Sequence, residues 1–130
     1  MQDSIIEELR SAFPNIVSET VHSLPVALLQ ISAKTGRKFF IIIDEWDALF
    51  RETESNESLQ RSYIQLLRAL FKGLQVSQFV VGAYMTGILP IKKYGTQSAL
   101  TDFREFTMLE PGFLAEYVGF TEKEVRGLCQ

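Results

Sequence analysis

The chain has 130 residues, 46% hydrophobic and 22% charged, and its 13 basic and 16 acidic residues leave a net charge of −3. This composition fits one soluble globular domain, long enough to bury a core. It lacks the basic excess that a general nucleic-acid-binding surface needs.

The longest apolar run, residues 39–43, is far short of the roughly 20 residues that cross a bilayer as a helix. The start, MQDSIIEE, has neither the basic end nor the apolar centre of a signal peptide. Cys129 is the only cysteine, which excludes an intramolecular disulfide and a cysteine-rich zinc site. His22 is the only histidine and has no partners for a catalytic triad. A reducing, cytoplasmic setting is expected.

Residues 4–13 read as a helix, with Ile5, Ile6, Leu9 and Phe13 on one side and Ser4 with Glu7 as a capping box. Pro14 ends it. A second helical stretch runs from about 17 to 34, restarted or kinked by Pro25 and closed by Gly36. Residues 38–44, KFFIIID, form the clearest strand. The run is continuously bulky, the pattern of a strand covered on both faces. After the polar loop 51–57 comes an amphipathic helix over 57–72, with Leu59, Tyr63, Leu66, Leu67, Leu70 and Phe71 inward and Gly73 as its stop. QFVVGAY (78–84) is a second buried strand, followed by a long connection over 86–102. EFTML (105–109) reads as a third, shorter strand. A turn at Glu110-Pro111-Gly112 leads to a short helix near 113–118, and Thr121 with Glu124 forms a capping box that starts the last helix. Strands alternating with helices imply an α/β fold with a mostly parallel sheet flanked by helices. Ligands of such sheets gather at the carboxyl ends of the strands.

Those ends carry Asp44-Glu45 and Met85-Thr86-Gly87. An apolar strand ending in Asp-Glu has the pattern of a Walker B motif. The aspartate can hold Mg²⁺, usually through water, because this hard cation keeps much of its hydration shell. The glutamate can orient or deprotonate a water that attacks a phosphate. Thr86, at the tip of the neighbouring strand, is a second candidate for placing that water. Lys92, Lys93 and Arg104 are the basic residues expected near the same edge, and Arg104 could reach a nucleotide as a finger. No G-x-x-x-x-G-K-[ST] loop exists in the sequence. Without that loop's amides and lysine, ATP affinity of this chain alone is expected to be poor.

The order IIIDEWDALF, polar loop, amphipathic helix, QFVVGAYMTGILPIKK, LTDFREFTMLEPGF and YVGFTEKEV resembles the predicted AAA-ATPase-like family of bacterial proteins, over residues 38–125. Full-length members of that family often carry a C-terminal nuclease-like domain. The resemblance implies a P-loop NTPase core, a three-layer sandwich, with ATP and Mg²⁺ as cofactors. It makes Asp44 the Mg²⁺-linked and nucleotide-binding aspartate, Glu45 the water-activating acid, and Thr86 the sensor-like residue; Arg104 remains a candidate nucleotide contact. Residues 1–130 then read as a single partial domain, the Walker B and sensor half, with lid helices starting from about 111.

Because the Walker A segment and the first strand of the sheet are absent from the sequence, the chain reads as an internal piece of such a module. Its exposed sheet edge invites homodimerisation. Two other readings stay open. One is a non-catalytic interaction or self-association module derived from a degenerate ATPase. The weaker one is a metal-dependent phosphodiesterase using Asp44, Glu45 and Asp47.

Overall fold

A computed structural model describes residues 2–52, 56–89, 103–117 and 119–129. The chain divides into two compact units, Met1–Leu100 and Thr101–Gln130.

In the first unit the described elements are α1 (Gln2–Ala12), α2 (Leu24–Thr35), β1 (Phe39–Ile43), α3 (Ala48–Glu52), α4 (Glu57–Phe71), α5 (Val76–Phe79) and β2 (Val80–Met85). Helix α1 is already formed at Gln2, so Ser4 lies inside its first turn rather than capping it. The Gln2 side chain instead accepts from Leu24 N at 3.2 Å, tying the start of α1 to the start of α2. The predicted helix over 17–34 is shorter than expected. Pro25 has no N–H to give to the Val21 carbonyl, so no helical bond can form there. That carbonyl accepts from Arg10 Nη2 at 2.8 Å, and the same nitrogen holds the Glu19 carbonyl at 3.0 Å. The chain over 14–23 is therefore fastened to α1, and α2 begins at Leu24 with Pro25 in its first turn. Gly36 closes α2 in the left-handed region, as expected.

Asn56 caps α4, its side chain accepting from Leu59 N. Leu66, Leu67 and Leu70 are buried, whereas Leu59, expected inward, is exposed. The predicted strand over 78–84 is preceded by a single helical turn, α5, which directs Phe79 into the core. The core joins Ile6, Leu24, Ala27, Leu28 and Ile31 of α1 and α2 to Leu66, Leu70 and Phe79 of the later helices.

β1 and β2 are parallel neighbours, with Phe40 opposite Gly82, Ile42 opposite Tyr84 and Ile43 opposite Met85, and a register irregularity between Phe39 and Phe40. Phe39, Ile41 and Val80 pack against the helical core. The opposite face does not match the expectation of a strand covered on both sides: Phe40 is 60% exposed and Ile42 70%. Val81 and Tyr84 are exposed beside them. Within the first unit the described helices cover one face of this strand pair. On the exposed face the Phe40 ring lies so close over Gly82 that a Cβ there would come within 2.8 Å of it.

The second unit contains a 3₁₀ turn at Gly112–Leu114 and helix α6 (Glu122–Leu128). The predicted strand at 105–109 does not form. Glu110 N donates to both the carbonyl and the hydroxyl of Thr107, so the chain turns where a ladder would need it extended. The short helix predicted near 113–118 is reduced to the 3₁₀ turn. The capping box of α6 is present, and Thr121 donates to the Glu124 carboxylate from both its amide and its hydroxyl. These bonds hold the Glu124 carboxyl below its ordinary pKa. No helix among the described residues is long and apolar enough to cross a membrane.

Ile31 is 1% exposed at the centre of the core. Ile31→Ala should cost about 2–5 kcal/mol by lost burial and a residual cavity. Urea unfolding followed by circular dichroism measures it.

Candidate functional site

The carboxyl ends of β1 and β2 meet in a dense hydrogen-bonded turn. Thr86 is its centre. Its amide continues the strand pairing by donating to Ile43 O at 3.0 Å, and its carbonyl accepts from Trp46 N at 2.9 Å. Its hydroxyl accepts from Glu45 N at 3.0 Å and donates to Asp44 Oδ1. The residue just after β2 thus holds Asp44, Glu45 and Trp46 in place, its hydroxyl both donating and accepting. Glu45 has a φ of 49°, in the left-handed region that non-glycine residues rarely occupy. The Thr86 bonds on either side of it stabilise that conformation.

The sequence-predicted residues separate into two groups. Asp44, Glu45 and Thr86 come together at this edge, with both carboxylates exposed. Glu45 Oε2 pairs with Arg51 Nη2 at 2.8 Å. Arg104 belongs to the second unit, where its guanidinium lies 5.1 Å from the centre of the Phe106 ring and 5.9 Å from that of Phe113. Lys92 and Lys93 lie outside the described residues.

Asp47, the third acid of the weaker phosphodiesterase reading, lies apart from the exposed pair. It is 0% exposed. Its Oδ2 accepts from Ile88 N at 3.1 Å and Leu89 N at 2.9 Å, and it faces Arg51 Nε at 3.4 Å. Its Oδ1 is buried without a hydrogen-bond partner and faces Gly87. A Cβ on Gly87 would come within 2.7 Å of that oxygen and 2.5 Å of Trp46 Cδ1, so only glycine fits there. The acid-aromatic-acid spacing Glu45-Trp46-Asp47 was the available signal. One turn of chain sends the first acid outward and returns the second to the interior.

Trp46 is 3% exposed and packs beneath the turn. Its ring centre is 5.7 Å from that of Phe50, which is 6.0 Å from that of Tyr63 on α4. Burial, and secondarily the Asp47 charge, push the Tyr63 phenol above its ordinary pKa. The site is therefore seated on α3 and α4 through an aromatic stack.

The family described as predicted AAA-ATPase matches residues 3–97. The chain belongs to that family. No curated protein and no solved structure matches it. The AAA-ATPase-like match starts well before the motif stretch that carries the resemblance, and it takes in α1 and α2. It covers Asp44, Glu45, Asp47 and Thr86, and it ends before Arg104 and the capping box of α6. For an AAA-ATPase-like chain, the informative geometry is two acidic residues and a hydroxyl at the tips of adjacent parallel strands.

With its pKa raised, the neutral Tyr63 phenol contributes stability that is complete below the unfolded value of about 10 and is lost as pH rises through the folded value. Absorbance at 295 nm should show Tyr63 titrating above free tyrosine. Asp47→Asn, which removes the second cause, should move that titration downward.

Proposed function

We propose that the β1–β2 edge is the Walker B and sensor portion of an ATP-hydrolysing site, which turns over once a phosphate-binding loop completes it. The observation that carries this reading is the bond from the Thr86 hydroxyl to Asp44. It couples an exposed carboxylate to the tip of the neighbouring strand at the edge where α/β sheets take ligands. The family assignment supports the same class of chemistry. The apolar outer face of β1 and β2 supports a sheet built to take a second helical layer, as in a three-layer sandwich.

The residues fit Mg²⁺ with ATP in a specific way. No cluster of three or more His, Cys, Asp or Glu able to hold a metal exists among the described residues, which therefore offer no closed cage. An exposed aspartate with one oxygen committed to Thr86 suits a cation held mostly by water and phosphate. Asp44 would hold such an ion there, and the chemistry it would supply is charge neutralisation on the phosphates of ATP.

The chain's own residues divide the remaining work. Asp44 presents a hard oxygen ligand, and Thr86 fixes its direction. Glu45 takes the proton from the attacking water, and Arg51 sets where that carboxylate points before reaction. Thr86 ties the geometry of one acid to that of the other, since its hydroxyl bonds Asp44 and the Glu45 amide.

A second reading, a non-catalytic self-association module, draws on the exposed outer face of the sheet, where Phe40, Ile42 and Tyr84 lie. Under it, association survives Asp44→Asn and Glu45→Gln.

Isothermal titration of Mg-ATP into the chain alone, and into the chain joined to an upstream glycine-rich phosphate loop, tests the proposal. Binding is expected only in the joined form. There Glu45→Gln should keep binding and lower turnover by about 10²-fold or more, the usual contribution of a positioned base. A joined form that ignores nucleotide overturns the reading.

A further inference from the structure

We propose that Asp47 is a positioning residue for Thr86, acting through the backbone that follows it. The role in the reaction rests on the ATPase reading above; the positioning does not. Asp47 touches neither Asp44 nor the Thr86 hydroxyl. Instead it accepts the amides of Ile88 and Leu89, two and three residues beyond Thr86, on a single carboxylate oxygen. Gly87, between those amides and Thr86, is pressed against Trp46 and the other Asp47 oxygen. The chain leaving β2 is thereby fixed on one side by Asp47 and on the other by the bonds that Thr86 makes to Ile43, Glu45 and Trp46.

A carboxylate with no solvent exposure is costly unless it is well bonded. Asp47 offsets part of that cost through Oδ2, which accepts two backbone amides and faces the Arg51 guanidinium, while Oδ1 is left without a hydrogen-bond partner. Arg51 also holds Glu45, so the same buried acid anchors the cation that directs the exposed one. Asp47 therefore sets the position of the Thr86 hydroxyl against Asp44 and, through Arg51, the direction of Glu45.

The test uses the full chain without nucleotide, so its outcome is independent of whether ATP binds. Amide hydrogen exchange is read at Glu45, Ile88 and Leu89, together with the carboxyl carbon shift of Asp44, which reports the bond from Thr86. Asp47→Ala should speed exchange at Ile88 and Leu89 by about tenfold or more, the effect of losing one charged acceptor. It should also speed exchange at Glu45 and move the Asp44 carbon signal. Asp47→Asn keeps a neutral side-chain oxygen for both amides and should bring these readouts back toward those of the unaltered chain. Faster exchange confined to Ile88 and Leu89, with Glu45 and Asp44 unchanged, overturns the proposal and leaves Asp47 as a local turn clamp.

If Asp47→Ala does not fold, native-state exchange of the unaltered chain in low denaturant decides the matter. The amides of Glu45, Ile88 and Leu89 should then open together, with the same denaturant dependence. A Glu45 amide that stays protected while the other two open overturns the proposal.

Discussion

Parallel pairing of β1 with β2 is the constraint on which the rest depends. Parallel strands cannot be joined by a tight hairpin, so the chain must travel back along the sheet before β2 can begin. The return passes through α3, α4 and α5, and apolar residues of α4 and α5 pack against α1 and α2. Helix packing and strand pairing are thus one requirement. The pairing brings the ends of both strands to one edge, where residues 42 positions apart in sequence become hydrogen-bonded neighbours. An antiparallel pair would have sent Thr86 to the far end of the sheet.

The turn after β1 does two opposed things within four residues. Asp44 and Glu45 face solvent, where carboxylates are well hydrated and open to a ligand. Trp46 and Asp47 turn inward. The left-handed backbone at Glu45 permits this reversal. The interior position of Asp47 is tolerable because its bonding partners are fixed donors on the backbone and a guanidinium already held in place. Arg51 links the buried and exposed parts, and its position one turn along α3 from Asp47 makes that reach possible.

Much of this was legible in residue pattern. The bulky run 39–43 marked a strand, Gly36 the end of the helix before it, and Thr121 with Glu124 the start of α6. That Asp44, Glu45 and Thr86 would meet at one edge was legible because all three closely follow an apolar strand run. The misplacements have physical causes. The helix over 17–34 was overextended because Arg10, distant in sequence, takes carbonyls that local propensity assigns to a helix. The strand at 105–109 was expected from its aromatic and β-branched residues, yet the Thr107 hydroxyl competes for the backbone. Asp47 was undervalued because nothing in its own identity says it is buried. Its burial depends on Gly87 and on the amides after it, which only folding brings near.

The close seat of Phe40 over Gly82 also bears on accuracy. Gly82 offers the ring space that Val81 and Ala83, carrying side chains, do not, so the strands have a preferred alignment written into one aromatic–glycine contact. Sliding β2 by a single residue would displace Thr86 by about 3.3 Å along the strand, more than a hydrogen bond can absorb. The ring and the glycine lie on the face turned away from the core, yet the alignment they favour is the one in which a hydroxyl meets a carboxylate several residues further on.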